Sequence, residues 1–345
     1  EQLVLNPSET NVAGSHHSVS ALFVLNPASY SLGGNHRVAR LFGSHVRAES
    51  SLGVIVNRDG GAAEGSYGSF SVSQPLWSTL TEWGFSGVVG WRSEILRRYV
   101  NAAPASFDSP VTKNLRDNIP YEYRSRSRYA GLSVTRSFGW ATKNDLSAGI
   151  EGSLRYYGVE FDRSSYAPEA VDDFVRRKVP RSDDAVAPFV QYHAYTNNFT
   201  RILDFETLAL QEDYRLGHEV YLRAYPSIRS IGSSRDFLGL YAAAQYTVPL
   251  GDGLARLSLK STTESNSDTL SDASIEFGSR FVSPRLGFGR IVFDSYVLNR
   301  YRNYLNRHTV IGGNSRLRGY PSSFFDGANA LVFNVEFRSR PVQLL

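Results

Sequence analysis

The stretch "ALVFNVEFRSR", residues 330–340, sorts its side chains by parity. Leu331, Phe333, Val335 and Phe337 fall on one face, and Asn334, Glu336, Arg338 and Arg340 on the other. Consecutive side chains of a β-strand point to opposite sides, so the segment reads as a strand with one greasy and one wet face. The pattern recurs upstream. In 146–157, Leu146, Ala148, Ile150, Leu154 and Tyr156 oppose Ser147, Gly149, Glu151, Ser153 and Arg155. In 238–248, Leu238, Leu240, Ala242, Ala244, Tyr246 and Val248 oppose Gly239, Tyr241, Gln245 and Thr247. Shorter versions occur near 46–57, 66–75, 83–94, 129–138, 186–196, 219–230, 254–262, 273–282 and 289–302. Segments of about 9–11 residues suit tilted strands that cross a membrane.

The links between these segments alternate in length. Short ones fall at 76–82, 139–145, 250–253 and 283–288, and longer polar ones at 98–122, 161–185 and 303–329. Short turns on one side and long loops on the other are the asymmetry of an outer-membrane β-barrel. Residues 231–235 and 264–272 read as modest loops of the long side. The link at 197–217 is long on the short side, which predicts an extra turn or a strand extension there. Trp77, Trp83 and Trp140 flank short turns, as an interfacial aromatic girdle would. In "YRSRSRYAGLSV", Arg124, Arg126 and Arg128 share parity with Ala130, Leu132 and Val134. Guanidiniums at mid-membrane cost about 2–4 kcal/mol each but little at the interface. The strand is therefore expected to run past the hydrocarbon, with those arginines in headgroups or water.

Bulk composition agrees without deciding. The 345 residues include no Cys, 20 Tyr, 20 Phe and 29 Gly, a β-rich and turn-rich mixture that excludes disulfides and thiolate metal sites. The mean hydropathy of -0.28 resembles that of a soluble protein, but alternating strands evade that measure. No run approaches the ~18 apolar residues of a membrane helix. A net charge of +4 without a compact basic helix gives no case for a nucleic-acid partner. The N-terminal "EQLVLNPSET" has neither the basic nor the apolar region of a signal peptide. Periodicity alone leaves a soluble sandwich or propeller open beside the membrane barrel, because solvent or a wet lumen would equally accept Glu151, Arg155, Arg223, Arg256, Lys260, Glu276, Arg280, Glu336 and Arg338. No blade-length repeat supports the propeller.

Residues 312–341 add a more specific signal. Gly312 and Gly313 precede the triplet Arg318-Gly319-Tyr320, then Gly327 and Asn329, then a strand carrying Asn334, Glu336 and Phe337. This ordered set resembles the superfamily of BamA, TamA and the two-partner secretion transporters. The resemblance covers about 30 residues directly. It implies an all-β fold: a transmembrane antiparallel β-barrel of the 16-stranded family type, incomplete here with 12–14 strands. It also implies an outer-membrane location, with long loops extracellular and short turns periplasmic. The loop 303–329 would fold into the barrel, with Arg318 docked on a wall carboxylate by its rigid fork of donors. Gly319 would make the sharp turn, and Tyr320 would wedge against neighbours. Asn334, Glu336, Arg338, Glu276, Arg280, Glu151 and Arg155 are the expected polar wall, with Glu336, Glu276 and Glu151 the candidate acids. Arg316 reads as a solvated loop residue. Arg318→Ala is expected to impair function and heat-modifiability more than Arg316→Ala, and equal, near-zero effects would contradict the docked reading.

Strand counting from Val46 gives eleven strands before the loop and one after, which by the family's count predicts four more. If 19–25 and 31–39 pair as a hairpin, the count is fourteen and the barrel could close alone. Residues 1–45 thus read as the end of a POTRA-like module or an opening hairpin, and 46–345 as the barrel. No catalytic constellation, metal site or cofactor motif is present, and the adjacent His16 and His17 point to opposite faces of a strand. Asp183 and Asp184 read as solvated loop residues. The function implied is ATP-independent insertion or translocation of unfolded outer-membrane or secreted client polypeptides. The partners would be the bilayer and periplasmic or lipoprotein accessory subunits. A passive pore for small solutes, or a surface β-rich adhesion protein, is the alternative.

Overall fold

The computed structural model describes residues 3–100, 103–113, 117–203, 205–207, 210–266, 269–313, 316–317, 319–320 and 324–339. Alternation is realised as one sheet whose long strands follow each other in chain order, every pair antiparallel. They are β1 (His17–Leu25), β2 (Ser29–Val38), β3 (Arg47–Asn57), β4 (Ala63–Gln74), β5 (Trp83–Arg97), β6 (Glu122–Phe138) and β7 (Thr142–Gly158). Then come β8 (Asp183–Thr196), β9 (Gln211–Ser227), β10 (Phe237–Leu250), β11 (Gly253–Asn266), β12 (Thr269–Val282), β13 (Gly289–Asn303) and β14 (Ala330–Ser339). The segments Leu3–Leu5 and Ser8–Glu9 pair with the outer side of β1. Among the described residues β14 pairs only with β13, so the barrel-like sheet is not closed.

The fourteen-strand reading is therefore the one observed, with the β1–β2 hairpin in the same sheet. Counted from Val46, eleven long strands, β3 to β13, precede the loop ahead of β14, as expected, and the β1–β2 hairpin adds two more. Two strands run beyond their alternating stretches, as expected for β6 past the hydrocarbon and for an extension within 197–217. The Arg124–Arg128 segment belongs to β6, and β9 starts at Gln211. The expected loop at 264–272 is also mostly strand, since β11 runs to Asn266 and β12 starts at Thr269. These extensions carry polar residues at both parities, with Tyr123, Tyr214, Leu216 and Leu270 among them, which blurs period two while leaving the ladder hydrogen bonds intact.

The apolar stripes face outward rather than into a core. Val335, Leu132 and Leu331 are 73%, 66% and 64% exposed, and Leu52, Phe70, Val190, Leu240 and Leu257 continue the belt around the sheet. Register keeps it continuous: Leu132 lies opposite Ile150, Tyr246 opposite Leu257, and Phe293 opposite Val335. A soluble sandwich would bury this face against a second sheet, whereas the other sheets here are two-stranded. On β6 the outward Ala130, Leu132 and Val134 are bounded by Arg128 and Arg136, roughly 26 Å apart along the strand at ~3.3 Å per residue. Arg136 lies 4.8 Å over the Trp83 ring at the short-turn end, and Trp77 stacks on His45 there. An apolar band of that height with an aromatic rim is compatible with an outer-membrane β-barrel.

Apolar burial is concentrated at the two ends. At the long-loop end, α1 (Pro168–Lys178) packs Ala170, Val171 and Phe174 with Ile119 and Val179. The sequence reading placed only a polar link here. At the short-turn end, Asn198–Leu203 pairs with the first part of β9, which is the strand extension expected at 197–217. The chain bends between β8 and this extension opposite Gly217, whose φ of +83° suits glycine. Ile202, Phe205 and Tyr214 of that hairpin pack on Leu254, Val282 and Val292.

Candidate lumenal site and its two covers

The inner wall is built by the residues of opposite parity to the belt. On β11 to β14, Arg256, Ser258, Lys260, Glu276, Arg280, Asp294, Tyr296, Asn334, Glu336 and Arg338 line a cavity of about 760 Å³. The segment ahead of β14 enters it, because Arg316, Leu317, Gly319 and Tyr320 line the same space. Of the expected site, Gly319, Tyr320, Asn334, Glu336, Arg338, Glu276 and Arg280 are thus brought together. Glu151 and Arg155 lie elsewhere on the wall, on β7. Glu151 pairs with Arg223 at 2.5 Å, and Arg155 donates from Nε to Ser153 Oγ at 3.0 Å.

Arg318 lies outside the described residues, as does Arg340. The acids expected to receive Arg318 have other partners. Glu336 pairs with Arg338 at 3.0 Å, and Glu276 accepts from the Tyr296 hydroxyl at 3.4 Å with Lys260 at 4.0 Å. Arg316 is exposed, as expected, but it also has a ring partner. Its guanidinium lies 3.8 Å over the Tyr296 ring, a cation–π contact inside the lumen. The sharp backbone is also displaced from Gly319. Gly312, Gly313 and Arg316 have φ of +139°, +65° and +79°. The Gly313 amide donates to Tyr320 O at 2.8 Å, and the Tyr320 amide to Leu317 O at 3.1 Å, closing the turn. Tyr320 packs with Phe324 and Phe325, ring centroids 5.5 and 5.0 Å away, the wedge the sequence suggested.

The short-turn cover was not foreseen as part of the site. Phe205 is 2% exposed, and its carbonyl accepts from Arg338 Nη1 at 2.7 Å. Glu206 pairs with Arg280 and lies 3.8 Å from Arg338. The hairpin between β8 and β9 therefore reaches across to β12 and β14. Leu254, Val282 and Val292 occupy inward-parity positions at the short-turn ends of their strands. Apolar residues on an otherwise charged face were the available signal.

At the long-loop end, Asp326 is the hub. Its carboxylate accepts from His308 Nδ1 at 2.7 Å, Lys178 Nζ at 2.6 Å and the Tyr121 hydroxyl at 3.4 Å, with Arg98 at 3.6 Å. Burial alone would raise this carboxyl, but the hydrogen bonds from His308 and Lys178 outweigh it and hold the group well below the usual carboxylate range. Asn306 Nδ2 donates to the carbonyls of Arg176 and Val179 at 3.0 and 2.9 Å, tying the same loop to the end of α1. Asp183 is likewise not solvated. It pairs with Arg235 at 3.0 Å, both side chains nearly buried, and Arg235 also meets Glu264.

Among the described residues no cluster of three or more potential ligands could hold a metal ion. Neither a known protein-family model nor any curated protein sequence matches the chain. What the fold and lumen define together is a class: a barrel-like all-β sheet with an apolar outside, a charged inside and a cover at each end.

Proposed function

We propose that the chain is an outer-membrane barrel that inserts or translocates unfolded polypeptide without ATP. The observation that carries this reading is the return segment inside the lumen, with Arg316 stacked on Tyr296 and Gly319 and Tyr320 lining the same cavity as Asn334, Glu336 and Arg338. A segment laid along β11 to β14 stiffens that part of the wall. In this reading a weakly paired seam of the sheet exposes a strand edge that templates a client strand by β-augmentation. The ordered residues from Gly312 to Phe337, similar to the BamA-type superfamily, support the same mechanism.

The test is reconstitution of the full chain in vesicles, followed by the folding rate of a small β-barrel client delivered from a periplasmic chaperone. Acceleration over empty vesicles is expected, and equal rates would overturn the proposal. A large, stable single-channel conductance with both covers in place would instead identify a passive pore. The membrane assignment has its own check. Leu132→Arg places a charge in the middle of the outer belt and should cost about 2–4 kcal/mol of stability in a bilayer. A soluble fold would tolerate that exposed substitution, so an unchanged denaturant midpoint in vesicles would count against the assignment.

A further inference from the structure

The outer face of β5, β6 and β7 carries a feature that a uniform lipid belt does not need. Val72, Phe85, Gly87, Leu132, Val134 and Ile150 surround an apolar hollow of about 550 Å³. Gly87 leaves the space, since a Cβ there would meet Leu132 Cδ2 at 3.1 Å. On the same face of β6, Arg128 lies four residues above Leu132, roughly 13 Å along the strand toward the long-loop end. Arg128 sits opposite Trp91 and Leu154, and Arg126 lies 5.7 Å over the Tyr156 ring. Arg124 is committed, its Nε donating to Glu160 at 2.9 Å. Arg126 and Arg128 are exposed and form no ion pair among the described residues.

We propose that this surface seats one lipid with a phosphorylated headgroup. The phosphate would lie between Arg126 and Arg128, bordered by Trp91 and Tyr156, and an acyl chain would fill the hollow around Gly87. The proposal rests on the membrane reading above. Charge complementarity selects the occupant. Two exposed guanidiniums, which with Arg124 outnumber the one neighbouring carboxylate, Glu160, lie on the long-loop side of an apolar hollow and match an amphiphile that is anionic at its head and aliphatic below. A neutral protein surface would leave both guanidiniums unanswered.

The experiment uses the full chain in neutral detergent, titrated with short-chain phosphatidylglycerol or phosphatidylcholine of equal acyl length, and with inorganic phosphate alone. Trp91 fluorescence reports binding beside Arg128. Phosphatidylglycerol should bind roughly 30-fold more tightly than phosphatidylcholine, the combined effect expected of two guanidiniums near an anionic lipid. The double substitution Arg126→Ala with Arg128→Ala should abolish that preference, and Arg136→Ala at the opposite end should keep it. Gly87→Leu should weaken both lipids by filling the hollow; if it fails to fold, Ala148→Leu tests the same space. A preference equal in wild type and the double variant overturns the seat, as does inorganic phosphate binding as tightly as the lipid. So does an Arg-dependent dimer without lipid binding. A chain that enters vesicles but shows no headgroup preference sinks only this proposal, whereas one that never leaves the aqueous phase sinks the membrane reading as well.

Discussion

Phe205→Ala combined with Glu206→Ala will open the short-turn end of the lumen. Phe205 is 2% exposed against inward Leu254, Val282 and Val292, and it belongs to a hairpin whose other anchors are Ile202 and Tyr214. Truncating a buried phenylalanine costs about 3–5 kcal/mol, which multiplies the undocked population by roughly 10²–10⁴. Glu206 holds the turn to Arg280, and Arg338 binds both the Phe205 carbonyl and the Glu206 carboxylate. Removing both side chains leaves main-chain hydrogen bonds from Arg338 to the Phe205 carbonyl and from Arg285 and Arg290 to the Leu203 carbonyl, which these guanidiniums can exchange for water. The wall itself has no part in the change, because β11 to β14 keep their ladders and their outward apolar residues. In planar bilayers the double variant should show frequent long openings where the wild type is mostly closed, and protease added at the short-turn side should cut within 204–210. Wild-type conductance with an uncut hairpin would mean that this segment does not close the lumen.

Much of the scaffold was legible because membrane-type strands expose their period directly. Every long strand from β3 to β14 lies on a stretch where apolar and polar residues alternate, and the outward set of β7 and β10 was read residue by residue. Legibility failed where both faces of a strand are wet. The early part of β9 and the tip of β11–β12 carry polar residues at both parities, and there only backbone pairing distinguishes strand from loop, whereas the parity of Arg124, Arg126 and Arg128 already carries β6 past the hydrocarbon. Helix α1 was missed for a different reason. Its period is 3.6, with Ala170, Val171 and Phe174 inward, Pro168 at the start and Arg176, Arg177 and Lys178 in the last turn, all visible signals passed over when scanning for period two. At the site, parity identified the wall side chains but not their neighbours. Glu336 meeting Arg338 is local and could be anticipated. Glu206 meeting Arg280 depends on how far a hairpin reaches across the curled sheet, and Arg316 meeting Tyr296 depends on where the return segment lies. Neither distance is written in one-dimensional spacing.

Asp326→Asn will release the cover at the other end. The Asp326 side chain is 3% exposed and answers His308, Lys178 and Arg98, which come from three separate segments of the long-loop side. Breaking a buried pair by removing one partner costs about 3–5 kcal/mol, because the remaining cations stay desolvated. The amide can still accept a hydrogen bond, so the loss falls mainly on charge, and Asp326→Ala should be at least as severe. The acid dependence has a definite sign. A carboxyl held below its unfolded value stabilises the folded state fully at pH above the unfolded value, and that stabilisation is lost progressively as pH falls from the unfolded value through the lower folded value. The Asp326 contribution should therefore not weaken between pH 7 and pH 5 and should begin to decline only as pH drops below ~4, where unfolded carboxylates titrate. Hydrogen exchange at Thr309–Ile311 and Phe325–Gly327, which pair as a small hairpin beside Asp326, reports its opening. In the wild type those amides should stay protected at pH 5, and in Asp326→Asn they should exchange early while the ladder of β13 and β14 remains protected. Early exchange throughout β13 and β14 would show that the carboxylate supports the wall and not a separable cover. Unchanged protection would show that the Asn306 contacts to α1 alone hold the loop.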